Sequence, residues 1–318
     1  MQSSRSIIFL VYQNRSGSTF LANQLSRHSE ICVCPEALSP IRHLFGLIGS
    51  RKQIKERINL LLNEIETEHK ISSWEINRNE ITSKILKCTD DMDVFYTLLD
   101  FFADKYKPKS NTIVFKMPFF FELMMNRNWT DLRAGRDVHI IFLVRDVRAI
   151  FNSQRQSIST NLGRPMQISA ARCAQHWKRY INKLKKWETF AACTIVFYEE
   201  LICNYAMEMP RIFARLGFDK IDIESLKNAQ LEKQIPKEQQ LLHKNISKPP
   251  INERINAWKK DLKNNEVIII EFIASDEMIR MGYNISKKRL LLGIYYTIND
   301  FIKLILYRSL KKLKPKIR

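Results

Sequence analysis

Short apolar runs rich in β-branched residues alternate with longer stretches of helical period along this chain. The run Ile7-Ile8-Phe9-Leu10-Val11-Tyr12 predicts a buried strand. A polar turn from Gln13 to Ser18 follows, then a helix reaching about His28. Further strands are expected over Ile31 to Cys34, Asn111 to Lys116, Val138 to Val144 and Thr194 to Tyr198. Runs this apolar fit strands covered on both faces, as in a parallel sheet of about five strands with crossover helices. The expected architecture is a three-layer α/β fold. Between the second and third strands, Arg42 to Ser110 reads as a helical insertion, with helices over Arg51 to Lys70 and Asp91 to Lys107. From Met207 onward the pattern is helical almost to the end, with Pro249-Pro250 marking a loop before Trp258.

Charge adds a partner to this picture. The 318 residues hold 52 Lys+Arg against 33 Asp+Glu, a net charge of +19. Such a balance points to a polyanion: nucleic acid, an anionic membrane, or a ligand bearing phosphate or sulfate. The charge is uneven. Residues 287–318 carry ten Lys/Arg and one acid, Asp300, leaving +10 for the first 286. The chain therefore divides into a domain over 1–286 and a basic amphipathic tail over 287–318.

Other classes lose ground. No run of 18 uncharged apolar residues predicts a spanning helix. The six apolar residues from Ile7 to Tyr12 are too few for a signal-peptide core. The six cysteines form no CxxC pair, which fits a reducing compartment and a cytoplasmic protein. No His/Cys cluster has zinc spacing, so no metal is expected.

Five motifs carry chemistry. After the first strand comes Asn14-Arg15-Ser16-Gly17-Ser18-Thr19 and then a helix. Backbone N–H groups at such a junction converge on one point, where the helix N-terminus adds positive potential. Gly17 allows close approach; Ser16, Ser18 and Thr19 offer hydroxyls, and Arg15 a fork. No Walker GxxxxGK[ST] is present. The second motif is Leu143-Val144-Arg145-Asp146-Val147-Arg148, with Ser153 two helical turns on. Arg145 is placed either to meet the ligand of the first loop or to pair with Asp146. The third places Lys116 at a strand end before Met117-Pro118, and the fourth places Tyr198 in Tyr198-Glu199-Glu200-Leu201. The fifth is Lys248, ten residues before Trp258.

In order and spacing, these motifs resemble the sulfotransferases that use 3′-phosphoadenosine 5′-phosphosulfate (PAPS). The nearest pattern is that of the tyrosylprotein and carbohydrate types. The resemblance covers about residues 7 to 283 and implies a P-loop-like fold. It also implies that Arg15 to Thr19 bind the 5′-phosphosulfate and that Arg145 and Ser153 bind the 3′-phosphate. Tyr198 would lie against the adenine, and Lys248 would be a loop contact. Lys116 would act near the bridging oxygen, and Glu36, 21 residues after Arg15, would be the general base. Cys173, Trp177 and Met281-Gly282-Tyr283 extend the likeness.

Three departures stand out. Pro118 occupies the position where aryl and steroid sulfotransferases carry a catalytic histidine, which moves the base role to Glu36. A second 3′-site arginine is replaced by Ser157, with Arg155 nearby as the substitute. The Golgi members have an N-terminal anchor, and no such run is present here.

The expected reaction is sulfuryl transfer from PAPS to an acceptor hydroxyl on a saccharide or glycolipid. A peptide tyrosine or small metabolite is the alternative. A P-loop kinase lacks its lysine here. A nucleic-acid-binding protein lacks any helix-turn-helix, zinc-finger or RNP signature. For the tail two readings stand: an interfacial helix on an anionic membrane at the cytoplasmic face, or a helix docked on the body with a solvated basic end.

Overall fold

A computed structural model describes residues 4–34, 58–63, 74, 76–88, 90–118, 132–133, 135–159, 163–188, 192–218, 253–286 and 290–313. Five parallel strands form the central sheet: β1 (Ser6–Tyr12), β2 (Ile31–Cys34), β3 (Thr112–Lys116), β4 (Val138–Val144) and β7 (Cys193–Phe197). Their spatial order is β2-β3-β1-β4-β7. A short antiparallel pair, β5 (Ile158–Ser159) with β6 (Arg164–Pro165), was not legible in the apolar pattern because each strand is only two residues long.

The apolar runs are buried on both faces because helices cover both. Ile7, Phe9 and Val11 turn to one side, where they share a core with Phe95, Phe115, Phe142 and Trp177. Ile8, Leu10 and Tyr12 turn to the other, with Leu21, Leu25, Val196 and Phe213. A strand's period of two sends alternate residues into these two layers. Burying each large side chain contributes roughly 1.5–3 kcal/mol, so both layers are held strongly.

The helices are α1 (Ser18–Ser26), α2 (Arg78–Ile85), α3 (Asp91–Tyr106), α4 (Val147–Gln156), α5 (Ala170–Trp187), α6 (Tyr198–Cys203) and α7 (Tyr205–Arg215). Then come α8 (Glu253–Asn256), α9 (Trp258–Asp261), α10 (Asn264–Arg280) and α11 (Leu290–Leu313). Asp90 caps α3, its side chain accepting from the N–H groups of Met92 and Asp93. Within the expected helix from Arg51 to Lys70, residues 58–63 are helical and the rest lies outside the described residues. The fifth core strand stops at Phe197, one residue before the expected end. Tyr198 instead opens α6, whose first turn carries Glu199 and Glu200, favourable at a helix N-terminus.

The tail helix α11 packs on the body. A β-carbon on Gly293 would lie 2.5 Å from Cγ of Phe272 on α10, so glycine permits this approach. Asp300 accepts hydrogen bonds from the Ser169 hydroxyl and the Ala171 N–H at the start of α5. Leu304 is buried. The outward side is nonetheless apolar: Tyr295 (62% exposed), Ile298, Ile302, Ile305 (61%) and Leu306 face solvent. No helix among the described residues is long and apolar enough to cross a membrane.

Candidate active site

β1 lies between β3 and β4, where the strand order reverses direction. In open α/β sheets that switch point, at the carboxyl ends, is where ligands bind. The loop after β1 occupies it. A bond from the Ser16 N–H to the Gln13 carbonyl (3.1 Å) tightens the turn. Arg15 adopts φ 74°, an uncommon left-handed conformation for a non-glycine residue, and Gly17 adopts φ 96°. Gly17 is the N-cap of α1 and supplies no side-chain cap, and the first turn of α1 holds no acid. The first N–H groups of α1 are thus presented to an anion. Ser16 is fully buried, and its Oγ has no hydrogen-bond partner. An orphaned hydroxyl beside a helix start fits a phosphate or sulfate oxygen.

Three guanidinium groups gather beside this loop. Arg15 Nε donates to Ser153 Oγ on α4 (3.0 Å). Arg145, at the end of β4, donates through Nη1 to the Arg15 carbonyl (2.9 Å) and through Nη2 to the Arg254 carbonyl (3.3 Å). Its Nε is buried without a partner. Its guanidinium lies 4.2 Å from the centroid of the Tyr198 ring. Burial, and then the positive charges of Arg145 and Arg254, lower the Arg15 pKa. An anion arriving beside Arg15 would favour its charged form.

The structure brings Arg15, Ser16, Gly17, Ser18, Thr19, Arg145, Ser153 and Tyr198 into one place, and Lys116 joins them. Lys116 Nζ donates to Thr19 Oγ1 (3.2 Å) and sits 5.5 Å from the Tyr12 ring centroid. Tyr198 meets Gly17 and Arg145 directly, so it also braces the loop. Glu36 and Lys248 lie outside the described residues, as do Pro249 and Pro250.

The ambiguity at Arg145-Asp146 resolves by partner exchange. Asp146 pairs with Arg148, not Arg145: Arg148 Nη2 is 2.7 Å from Asp146 Oδ2, and its Nη1 is 2.6 Å from Glu271 Oε1. The Asp146 N–H donates to Glu199 (3.0 Å), which also accepts from the Tyr283 hydroxyl (3.1 Å). Trp177 Nε1 donates to the Arg145 carbonyl (2.9 Å). Trp177 and Tyr283 thus hold the end of β4 from behind, and Arg145 is left to face the loop.

Arg155 is not free to replace the second 3′-site arginine. Its Nη1 donates to both Glu266 oxygens at 2.9 Å, and its Nη2 donates to the Asp261 carbonyl (2.7 Å). Arg254 is the cation that reading the sequence missed. Its nearness to Trp258 in sequence was the available signal, but no local pattern marks a residue whose backbone meets a strand end 109 positions away.

Beside the loop a cleft of about 350 Å³ opens, its lining including Gln13, Asn14, Pro118 and Gln154 together with His176, Arg179 and Lys183 of α5. Gln154 Nε2 donates to the Asn14 carbonyl (2.8 Å), tying the cleft's edge to the loop.

A parallel sheet in this order, with an anion cradle after β1 and cations at the end of β4, defines a P-loop-like phosphate- or sulfate-handling enzyme without the Walker lysine. The chain belongs to the sulfotransferase family, whose model matches residues 8–222. Two similar solved structures share its fold. One is the sulfotransferase domain of the olefin synthase of Synechococcus PCC 7002 (TM-score 0.60, 16% identity, covering 90% of this chain and 98% of that one). The other is the sulfotransferase domain from the curacin biosynthetic pathway (TM-score 0.58, 17% identity, covering 89% and 99%). No curated protein matches by sequence. Family membership makes the protein a transferase and implies PAPS as donor.

Proposed function

We propose that the protein moves the sulfuryl group from PAPS to a hydroxyl of a saccharide or glycolipid, at the cytoplasmic face of a membrane. The observation that carries the donor half is the triangle of Arg15, Ser153 and Arg145 beside an uncapped helix N-terminus. One anion fits the cradle from Ser16 to Thr19, and a second fits at Arg145 and Ser153. The orphaned Ser16 Oγ and Arg145 Nε suit such a ligand.

In the transfer, the acceptor oxygen forms the new S–O bond as the bond to the bridging oxygen breaks, and the electron pair stays on the leaving phosphate. Arg15, Lys116 and the loop N–H groups stabilise that developing charge without calling on a metal. Glu36 takes the acceptor's proton. Four amide side chains in the cleft (Gln13, Asn14, Gln154, Gln167), beside the rings of Tyr12 and Tyr180, suit a ligand that offers hydroxyls together with apolar ring faces. The test is labelled sulfate transfer from PAPS to a panel of glycans, glycolipids, tyrosine peptides and small hydroxylated metabolites. Transfer only to peptides or metabolites would overturn the saccharide reading.

The membrane half rests on α11. Its outward stripe of Tyr295, Ile298, Ile302, Ile305 and Leu306 reverses the pattern of a surface helix. Basic residues flank it at both ends, Lys287 to Arg289 and Arg308 to Lys312. A second copy laid on this face, parallel or antiparallel, would oppose like charges, whereas an anionic lipid surface complements them. The free thiols of Cys32, Cys34, Cys88, Cys173, Cys193 and Cys203 suit a reducing compartment. Co-sedimentation with phosphatidylserine vesicles, and its loss in Ile302→Glu, is expected. Equal sedimentation with phosphatidylcholine alone, or by the variant, would remove this half.

A further inference from the structure

Ser16 Oγ and Arg145 Nε are not the site's only orphaned atoms. Among the described residues, Gln13 Oε1 is also buried with no hydrogen-bond partner. Gln13 directly follows β1 and lines the cleft. The donor's anions suit the first two atoms but not this one. Oxygens of a phosphosulfate accept hydrogen bonds and have none to donate at neutral pH, so they cannot satisfy an amide oxygen.

The cleft's other glutamines differ. Gln154 Oε1 accepts from the Cys173 thiol (3.8 Å), and its Nε2 holds the Asn14 carbonyl. Gln167 Oε1 accepts from the N–H groups of Ile168 (3.1 Å) and Ser169 (3.2 Å). The Tyr180 hydroxyl, also in the cleft, donates to the strand-end carbonyls of Val11 and Leu143, each at 3.2 Å. These groups hold the cleft together. Gln13 instead presents an acceptor with nothing to receive, an arrangement that destabilises the free protein.

Its position gives that oxygen a use. Gln13 follows Tyr12, whose ring centroid lies 5.5 Å from Lys116 Nζ, and it stands two residues before Arg15. It is therefore next to the groups assigned to the reacting centre, where the cleft opens.

We infer that Gln13 is a specificity-determining residue for the acceptor, its Oε1 accepting a hydrogen bond from a second hydroxyl on the carbon next to the reacting one. The reacting hydroxyl gives up its proton and forms the S–O bond. Its neighbour keeps its proton and donates it to Gln13. Held at two points, the acceptor presents one oxygen to the sulfur. A molecule without the neighbouring hydroxyl leaves the amide oxygen buried and unpaired, which is the basis of strong discrimination. The inference rests on the sulfuryl-transfer reading above and names the feature of the acceptor that the site reads.

The test compares the full chain with Gln13→Met, which keeps the length of the side chain and removes its strong acceptor. Without ligands, the variant is expected to melt about 2 °C or more above the wild type, because the orphan is gone. Its PAP affinity should be unchanged by calorimetry. With saturating PAP, ligand-observed NMR should show cyclohexane-1,2-diol binding the wild type at least about fivefold tighter than cyclohexanol. The variant should bind the two alike. A lower melting midpoint in the variant would mean that the oxygen has a partner in the free protein, and overturns the inference. So does a loss of PAP affinity, which would make a donor hydroxyl the partner. Equal binding of the two alcohols by the wild type, binding of neither, or an equal loss of both in the variant also overturns it. The donor reading fails separately, if the wild-type chain does not bind PAP.

Discussion

A β-carbon on Gly17 would lie 2.3 Å from Cδ2 of Tyr198. The two residues are far apart in sequence, yet the ring at the start of α6 closes directly over the backbone of the loop after β1. Gly17 also has φ 96°, so a side chain there is strained as well as crowded. Gly17→Ala is expected to lower stability by about 1–3 kcal/mol and to weaken PAP by more than about tenfold. Adding Tyr198→Ala should relieve the crowding and leave the strain. Denaturant melts and PAP calorimetry on the single and double variants measure both effects.

Arg145 and Arg148, three residues apart, should behave as opposites. Arg145→Ala is expected to weaken PAP by about 30-fold or more, since charge-assisted bonds contribute about 1.5–3 kcal/mol. Adenosine 5′-phosphosulfate, which lacks the 3′-phosphate, should lose much less. Equal losses would reassign Arg145 to support of the Arg15 carbonyl alone.

Arg148→Ala leaves Asp146 and Glu271 buried without their cation. The expected cost is about 3–5 kcal/mol of stability. PAP affinity of the folded fraction should change little. A large PAP defect at unchanged stability would contradict this division of labour.

Glu36→Gln should leave PAP binding near normal and reduce turnover by roughly 100-fold or more. Single-turnover sulfate transfer reads this directly. Unchanged turnover would exclude Glu36 as base.

His139 sits in β4 within hydrogen-bond distance of Thr194 Oγ1 (2.8 Å), and burial lowers its pKa from 6.5 to about 4. The folded state therefore keeps it neutral. Its contribution to stability is complete above pH 6.5 and is lost as pH falls toward about 4. His139→Gln should flatten that part of the stability curve, as followed by thermal melts across the range. An unchanged acid slope would show that other groups set it.

The sequence by itself determined the sheet and its loop. Strand positions were legible because strands buried on both faces become nearly continuous apolar runs, and the turn at Arg15 to Thr19 announced itself by following one. Lys116, Arg145 and Tyr198 were legible for the same reason: each stands at or next to the carboxyl end of such a run. Only tertiary structure could decide partners. Asp146 chose Arg148 over its neighbour Arg145 because Glu271, 123 positions away from Arg148, completes a buried pair there. Glu266 captured Arg155, and Arg254 arrived from beyond a long connection. For the tail, tertiary structure showed the docked helix, since α11 packs on the body through Gly293 and Asp300 while its opposite side stays apolar and exposed. Periodicity is a local property and survives in one dimension. The choice among competing charges depends on distances that exist only once the chain has folded.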